Sequence, residues 1–297
     1  MVYDVVIIGA GPAGLSASVF CLRAGLKVVC IEKLAVGGQA TQTALVDNYL
    51  GLGLISGFDL ADKFLQHATS LGAEIVYGTV TSLKKNKQGF VVQTNTQKFE
   101  AKKVIIACGC NVRKLGLDGE DRLTGRGISY CASCDGNFYK NKVVGVVGGG
   151  KTALEDVVYL SKIAKKIYLI NRRTIFRAGE NELNKVKKLK NVEIIAPAVV
   201  SSLEGEEVLS GVTLNCAGET KKIKLDGLFV AIGSYPSLDF VDFKLEMDEQ
   251  GYIKTDANMQ TSVKNLFAAG DIVSKNFRQI INACSEGATA ANACIGG

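Results

Sequence analysis

The sequence predicts an α/β fold that contains the same βαβ unit twice. Two stretches share one order of features: an apolar strand, a glycine-rich turn, a helix and a second strand. The chain has 297 residues, which at about 150 residues per domain corresponds to two domains. Hydrophobic residues make up 47% and charged residues 22%, a composition typical of globular rather than disordered proteins.

The first unit begins with the apolar strand 5–8 and the turn 9–14, which reads GAGPAG. A helical stretch follows to Ala24, and a second strand over 27–31 ends at Glu32. Gly9 lies 23 positions before this glutamate.

The second unit begins with the strand 142–147 and the turn 148–153, which reads GGGKTA. A helical stretch to Ala164 and a strand over 166–170 follow, and the unit ends at Asn171. Gly148 lies 23 positions before Asn171, the same spacing as in the first unit. Equal order and equal spacing indicate one unit used twice rather than two coincidental glycine turns.

Both turns have the pattern of a dinucleotide site. The first glycine allows the tight strand-to-helix turn, the second lets a pyrophosphate approach the backbone, and the third position needs a small residue, for which Ala153 suffices. The N-terminus of the following helix presents unsatisfied N–H groups and a positive dipole end to phosphates.

The two units end in different chemistry, and this difference predicts two different nucleotides. Glu32 can accept hydrogen bonds from both hydroxyls of an adenosine ribose, as FAD or NAD requires. Asn171 is followed by Arg172 and Arg173, with Arg177 close behind, and guanidinium groups bind a 2′-phosphate. The second site is therefore expected to bind NADP.

A basic run covers residues 162–190, where ten Lys and Arg face only Glu180 and Glu182. A solvated helix face, a dinucleotide phosphate site and an acidic partner protein all agree with it. Nucleic acid is disfavoured because no stacking aromatics are interleaved. No apolar run approaches the ~20 residues of a membrane span, and the first strand begins without a signal segment. We therefore expect a cytoplasmic protein without a membrane or nucleic-acid partner.

Cys131, Cys134 and Asp135 form a candidate redox centre just before the second unit. A CxxC spacing at a helix start can close a disulfide, and a helix N-terminus lowers a thiol pKa. Asp135 is the nearest group that can handle a proton. Zinc is the competing interpretation, but it needs four ligands and no second pair of suitable spacing exists, so no metal site is predicted. His67, the only histidine, is interpreted as a helix-surface or packed residue.

The motifs together resemble the low-molecular-weight thioredoxin reductase family over essentially the whole length. Besides the two glycine turns and the CxxC block, several shorter segments contribute to this resemblance. These segments are Gly37-Gly38-Gln39, 125–136, 147–155, Arg172-Arg173, 176–178, 267–271 and Arg278-Gln279.

The resemblance implies a fold with two Rossmann-like, three-layer ββα domains, the second inserted in the first. Residues 1–113 and 244–297 would form the FAD-binding domain, and 114–243 the NADPH-binding domain with the redox pair. NADPH would reduce FAD, and FAD the Cys131–Cys134 disulfide. Cys134 would face the flavin, Cys131 would attack the disulfide of thioredoxin, and Asp135 would donate the proton. A homodimer is also implied.

The expected cofactor contacts follow from the two glycine turns and from the resemblance. The residues expected at FAD are Gly9, Gly11, Pro12, Ala13, Gly14, Glu32, Lys33, Gly38, Gln39, Asn48, Val80, Ala107, Gly109, Gly270, Asp271, Arg278, Gln279 and Ile280. The residues expected at NADPH are Gly148, Gly149, Gly150, Thr152, Ala153, Glu155, Asn171, Arg172, Arg173, Arg177, Ile232 and Gly233.

Departures from the family pattern leave alternatives open. Asn171 stands where the family usually has histidine, which could weaken the preference for NADPH. The electrons could also go to a glutaredoxin-like protein or a peroxiredoxin module, come from a ferredoxin, or flow in reverse in a dithiol oxidase. A non-enzymatic flavin- or zinc-binding module is the remaining alternative. The larger glutathione-reductase class does not fit, because it places a CxxxxC pair near the first turn.

Overall fold

The computed structural model describes residues 2–43 and 45–296, and for Gln42 it describes the backbone alone. Residues 1 and 297, the two ends of the predicted FAD-binding domain, lie outside this part, as does residue 44. The described residues divide into two compact units. The first contains 2–43, 47–111 and 235–296, and the second contains 45–46 and 112–234.

The secondary-structure elements follow the chain in three groups. The first group is β1 (Val2–Ile8), α1 (Pro12–Arg23), β2 (Val28–Glu32), a 3-10 helix (Gly38–Gln42), α2 (Gly57–Ser70), β3 (Glu74–Tyr77), β4 (Val80–Asn86), β5 (Gly89–Thr94), β6 (Lys98–Ile106) and β7 (Asn111–Val112). The second group is α3 (Glu120–Leu123), β8 (Ile128–Ser129), α4 (Ala132–Asp135), a 3-10 helix (Gly136–Tyr139), β9 (Val143–Val147), α5 (Lys151–Leu160), β10 (Lys166–Ile170), α6 (Glu180–Lys187), β11 (Val192–Ile195), β12 (Val199–Glu204), β13 (Gly211–Cys216), β14 (Glu219–Lys224) and β15 (Gly227–Val230). The last group is β16 (Ser234–Tyr235), β17 (Leu266–Ala268) and α7 (Ile280–Ile295).

The sheet of the first unit combines a parallel part and an antiparallel part. Strands β3, β2, β1 and β6 are parallel neighbours in that order, and β17 pairs in parallel with the C-terminal end of β6. The N-terminal half of β6 pairs with β5, and β5 with β4, both antiparallel. The long strand β6 therefore joins a parallel sheet to a three-stranded antiparallel one.

The side chains of β1 point alternately to the two faces of the sheet and contribute to two separate layers of the core. Successive side chains of a strand point to opposite faces. Val5 and Ile7 pack in one apolar cluster with α1 and α7 side chains, and Val6 and Ile8 pack in another with residues of β4 and β5. All four are buried, so both faces of β1 are covered, as expected for a parallel strand with a continuous apolar run.

The second unit also combines parallel and antiparallel strands, but in two separate sheets. Its parallel sheet has the order β11, β10, β9, β15 and β8, and a separate antiparallel sheet contains β12, β13 and β14. Val144 and Val146 of β9 pack with α5 side chains, and Val147 packs with residues of the antiparallel sheet.

The predicted α/β class with two three-layer units is confirmed. In the two parallel sheets, β1 and β9 are interior strands, and each glycine turn follows the carboxyl end of one of them. Nucleotides bind at this edge of such sheets. The exact domain limits and the assignment of a cofactor to each unit stay predictions. None of the described helices is long and apolar enough to cross a membrane.

Candidate functional site

The first glycine turn has the geometry that a bound pyrophosphate needs. Gly9 adopts a φ of +106°, and a Cβ there would lie 2.4 Å from the Ala107 carbonyl oxygen. A Cβ on Gly14 would lie 1.8 Å from the Gly9 oxygen, so only glycine lets α1 pack this closely. A Cβ on Gly11 would meet no atom within 4 Å, so the turn is open on that side. Pro12 and Ala13 begin α1, and proline suits this first position.

Glu32 ends β2 and is buried directly behind this turn. One carboxylate oxygen accepts a hydrogen bond from the Ala10 amide at 2.8 Å, and the other from the Leu34 amide at 2.9 Å. Two amide contacts leave further lone pairs on the carboxylate. Glu32 can therefore fix the turn and still accept from ribose hydroxyls.

Several other residues expected at FAD contact this turn or connect segments of the first unit. A Cβ on Gly38 would be 3.4 Å from the Gly11 Cα. The Gln39 side-chain amide donates to the Cys110 carbonyl, which links the 3-10 helix after β2 to the loop after β6. The Asn48 amide donates to the Gln279 side-chain oxygen at 3.0 Å. The structure thus brings segments from three parts of the sequence together in the first unit.

Asp271 follows β17 and has a carboxylate oxygen without a hydrogen bond. Its Oδ1 is buried and accepts none from any described residue, although the Lys275 ammonium lies 3.6 Å away. The preceding residue, Gly270, has a φ of +80°. A buried acceptor without a donor is costly unless another group satisfies it. A hydroxyl group of a ligand would do so.

The guanidinium of Arg278 is engaged in contacts within the protein. Its guanidinium donates to the Lys275 and Val273 carbonyls at 2.9 and 3.3 Å and lies 4.2 Å from the centre of the Tyr252 ring. Its Nε is buried and makes no hydrogen bond with a described residue.

The donor set of the first unit fits FAD. The open glycine turn, the two-oxygen acceptor Glu32 and the unsatisfied Asp271 oxygen match the needs of a pyrophosphate, a ribose and a polyol chain. The other residues expected at FAD are Lys33, which is exposed, Val80 at the start of β4, Ala107 and Gly109 after β6, and Ile280 at the start of α7.

The second glycine turn repeats the geometry of the first. Gly148 has a φ of +154°, and a Cβ there would lie 2.3 Å from the Ala231 oxygen and 2.8 Å from the Ala153 Cβ. Gly150 is the N-cap residue of α5, and a Cβ there would have 3.8 Å to its nearest atom, an Arg177 nitrogen. An arginine therefore lies beside the open end of this turn.

Asn171 has a role that spacing alone does not reveal. Its side chain is buried, and its amide nitrogen donates to the Arg173 carbonyl at 2.6 Å and to the Ile175 carbonyl at 3.5 Å. The Arg177 amide donates to the Gly149 carbonyl at 2.7 Å, which holds the other end of the same loop. Asn171 thus shapes the loop that contains the arginines.

The three arginines of this loop have exposed side chains, as binding of a phosphate from solution requires. The remaining residues expected at NADPH are Thr152 and Glu155, both exposed on α5, and Ile232 and Gly233 after β15. The Gly233 carbonyl accepts from the Arg113 amide at 2.9 Å. A 2′-phosphate with its adenosine fits this donor set.

Cys131 and Cys134 are joined by a disulfide, with 5.3 Å between their Cα atoms. Cys131 is the N-cap residue of α4, and its sulfur accepts from the Cys134 amide at 3.2 Å. Both side chains are half-buried. After reduction, the same amide and the helix N-terminus would stabilise a thiolate on Cys131.

Asp135 is half-buried at the end of α4, so the three predicted catalytic residues lie within one turn. Burial, together with the charges of Asp135 and Asp226, raises the pKa of Tyr139 to about 12. The Tyr139 phenol is therefore neutral, and it lies near enough to Asp135 for the charge of that carboxylate to act on it.

Two residues that support the redox pair were not predicted. The buried Ser129 hydroxyl accepts from the Cys131 amide at 3.1 Å. Glu120, 2% exposed, accepts from the Tyr130 hydroxyl at 2.9 Å and from the Leu115 and Gly116 amides at 2.8 Å each. Burial and Glu120 together raise the pKa of Tyr130. A lone glutamate ten positions upstream carries no sequence signal for this role.

Comparison with known proteins agrees with this geometry. The family described as pyridine nucleotide-disulphide oxidoreductase matches residues 3–287. A Treponema pallidum protein named thioredoxin reductase is 40% identical over 98% of this chain and 95% of its own length. A Bacillus subtilis protein of the same name is 41% identical over 98% of this chain and 93% of its own length.

A solved structure gives the same result. The crystal structure of thioredoxin reductase from Streptococcus pyogenes MGAS5005 has a TM-score of 0.94 at 36% identity, covering 99% of this chain and 97% of that one. The fold, the two glycine turns and the disulfide therefore point to the same family as the sequence similarity, which extends over nearly the whole chain. The chain belongs to the pyridine nucleotide-disulphide oxidoreductase family.

Proposed function

We propose that this protein is an NADPH-dependent thioredoxin-disulfide reductase that contains FAD. The observation that supports this most directly is the Cys131–Cys134 disulfide at the start of α4. It belongs to the same unit as the second glycine turn and the arginine loop. A reducible pair, a site for NADPH and a site for FAD are the parts that this reaction requires.

The two cofactors have separate sites. Gly9, Gly11, Glu32 and Asp271 would hold FAD in the first unit, and Gly148, Gly150 and the arginine loop would hold NADPH in the second. When bound, NADPH supplies a hydride and FAD passes the electron pair to the disulfide.

The thiol pair then performs disulfide exchange. Two electrons cleave the Cys131–Cys134 bond and leave one thiolate and one thiol. The Cys131 thiolate attacks the disulfide of thioredoxin, forms a mixed disulfide and releases one thioredoxin thiolate, which takes up a proton. Cys134 then attacks the Cys131 sulfur, restores the enzyme disulfide and releases the second thiol. The proton of the Cys134 thiol passes to the second thioredoxin sulfur. Asp135, within the same turn, would donate the proton that the first thioredoxin thiolate takes up.

A ferredoxin-fed variant is the second candidate within this chemistry. Such an enzyme would have no need of a 2′-phosphate site. Gly148, Gly150, Ala153 and the exposed arginines keep the features of one, which favours NADPH as the electron donor.

The proposal extends to the protein's surroundings. Thioredoxin is the expected protein substrate, and a homodimer in the cytoplasm is the expected form. A reducing compartment suits a chain in which Cys21, Cys30, Cys110 and Cys294 are buried thiols. Burial raises the pKa of Cys21, Cys30 and Cys294 to about 12, which makes these thiols poor nucleophiles.

Anaerobic titration of the flavin spectrum tests the proposal. NADPH should bleach the FAD absorbance of the purified protein, and oxidised thioredoxin should restore it. Cys134→Ser should keep FAD and its bleaching by NADPH but lose thioredoxin reduction. Cys284→Ser, a half-buried cysteine outside the disulfide, is the matched control and should behave as the wild type. A protein that binds no FAD on reconstitution, or a Cys134→Ser variant of wild-type rate, would refute the proposal.

A further inference from the structure

A largely buried lysine lies between two carboxylates after β17. The Lys275 ammonium is 2.7 Å from a Glu286 carboxylate oxygen and 3.6 Å from Asp271 Oδ1. The exposed fraction of the Lys275 side chain is 12%, and that of Glu286 is 16%. Charges this poorly solvated persist only when they are paired.

Glu286 connects this lysine to the turn before Asp271. The Glu286 oxygen that accepts from Lys275 also accepts from the Gly270 amide, at 2.8 Å. Gly270 has a φ of +80°, and a Cβ there would lie 3.0 Å from the Ala13 Cβ of α1. A carboxylate on α7 therefore fixes the turn that positions Asp271 against the first glycine turn.

The backbone of Lys275 is fixed as well. Arg278 donates to the Lys275 carbonyl at 2.9 Å and to the Val273 carbonyl at 3.3 Å. The guanidinium in turn lies over the Tyr252 ring. With its carbonyl and its ammonium both held, Lys275 is a fixed positive charge beside Asp271.

We propose that Lys275 and Glu286 are positioning residues of the FAD site, acting through Asp271; this rests on the proposed function. Asp271 Oδ1 is buried without a hydrogen-bond donor among the described residues. A carboxylate accepts from hydroxyl groups and repels phosphates, so this oxygen would accept from a hydroxyl group of bound FAD, such as one of its ribityl chain. Lys275 offsets the charge of Glu286, which would otherwise repel Asp271, and so keeps the Asp271 carboxylate oriented.

Three variants test this, with FAD affinity of the apoprotein measured by quenching of flavin fluorescence. Lys275→Met should raise the Kd for FAD about tenfold or more, because two carboxylates then face each other without a counter-charge. Lys275→Arg should recover part of the affinity. The double variant Lys275→Met with Glu286→Gln should bind FAD more tightly than Lys275→Met alone, because the excess charge is removed.

Lys254→Met is the matched control. Lys254 forms a lysine–glutamate pair with Glu246 at 3.2 Å in the same unit, but both side chains are more than half exposed. It should leave the Kd for FAD unchanged. The unfolding temperature of each apoprotein separates loss of FAD contacts from loss of folding. If Lys275→Met fails to fold, Lys275→Arg is compared with the wild type instead: a higher Kd for FAD supports the positioning role, and an unchanged Kd overturns it.

The outcomes separate this inference from the proposed function. Wild-type affinity in Lys275→Met, or a double variant that binds FAD more weakly than Lys275→Met, overturns the positioning role. Wild-type apoprotein that takes up no FAD overturns the proposed function instead.

Discussion

The side-chain amide of Asn171 fills the space beside Gly149, where a Cβ would come within 2.4 Å of the Asn171 Oδ1. The same side chain donates to the Arg173 carbonyl. The second glycine turn and the arginine loop are therefore in contact through one buried side chain, and a change at either residue should affect the binding of NADPH.

Asn171→Ala should raise the KM for NADPH by roughly 3–10-fold, because it removes the neutral amide whose hydrogen bonds to the Arg173 and Ile175 carbonyls order the loop. Gly149→Ala should raise it further, because the added methyl group clashes with Asn171. The double variant Gly149→Ala with Asn171→Ala should be less impaired than the product of the two single effects, because the smaller side chain at 171 frees the space. Steady-state kinetics with varied NADPH measures all three, and strictly multiplicative effects would show that the two residues do not interact.

Arg172→Ala combined with Arg173→Ala should raise the KM for NADPH by roughly 10–100-fold and that for NADH less than about threefold, because only NADPH has the 2′-phosphate. Parallel kinetics with the two nucleotides is the measurement. Lys187→Ala with Lys188→Ala removes two adjacent exposed cations of the same unit and should change neither constant. Equal effects of the arginine changes on both nucleotides would contradict the 2′-phosphate assignment.

Glu32→Gln should weaken FAD binding by about tenfold, because a carboxamide has one oxygen where two backbone amides need acceptors. Its NH₂ group would face the amide of either Ala10 or Leu34. The amount of FAD released on dilution, monitored by flavin fluorescence, measures the loss of affinity. Glu74→Gln is the control and should retain FAD. Glu74 is an exposed residue of β3 whose carboxylate accepts a hydrogen bond from the Tyr3 hydroxyl. Equal retention by both variants would argue against a role of Glu32 in FAD binding.

Asp156 on α5 should make the protein less stable as pH rises. Burial, with a smaller contribution from Glu155, raises the pKa of Asp156 from 3.8 to about 7. The folded state then keeps a proton that the unfolded state releases, so the free energy of unfolding falls between about pH 4 and 7. Asp156→Asn removes this dependence, and its gain in unfolding temperature should be at least about 2 °C larger at pH 8 than at pH 5.

Calorimetry at the two pH values tests the Asp156 prediction. Glu155→Gln, which removes the exposed neighbouring carboxylate, should produce a smaller difference between the two pH values. A gain for Asp156→Asn that is the same at pH 5 and pH 8 would mean that this carboxyl titrates as an exposed one does.

Local patterns in the sequence were sufficient for the fold class, the two glycine turns and the redox pair. Each of these depends on backbone constraints within about 25 residues: a glycine with positive φ at 9 or 148, a helix N-terminus, or two cysteines within one turn. Such constraints act wherever the residues occur, so order and spacing report them.

The contacts between distant segments could be known only from the folded chain. The direction of the Asn171 side chain, the pairing of Lys275 with Glu286, the missing donor at Asp271 and the support of Tyr130 by Glu120 all depend on which elements pack together. Hydrogen bonding and desolvation of a polar group are set by its neighbours in space, and sequence order does not specify those neighbours. For this reason the two glycine turns and the cysteine pair were predictable, and the side chains that hold these segments in position were not.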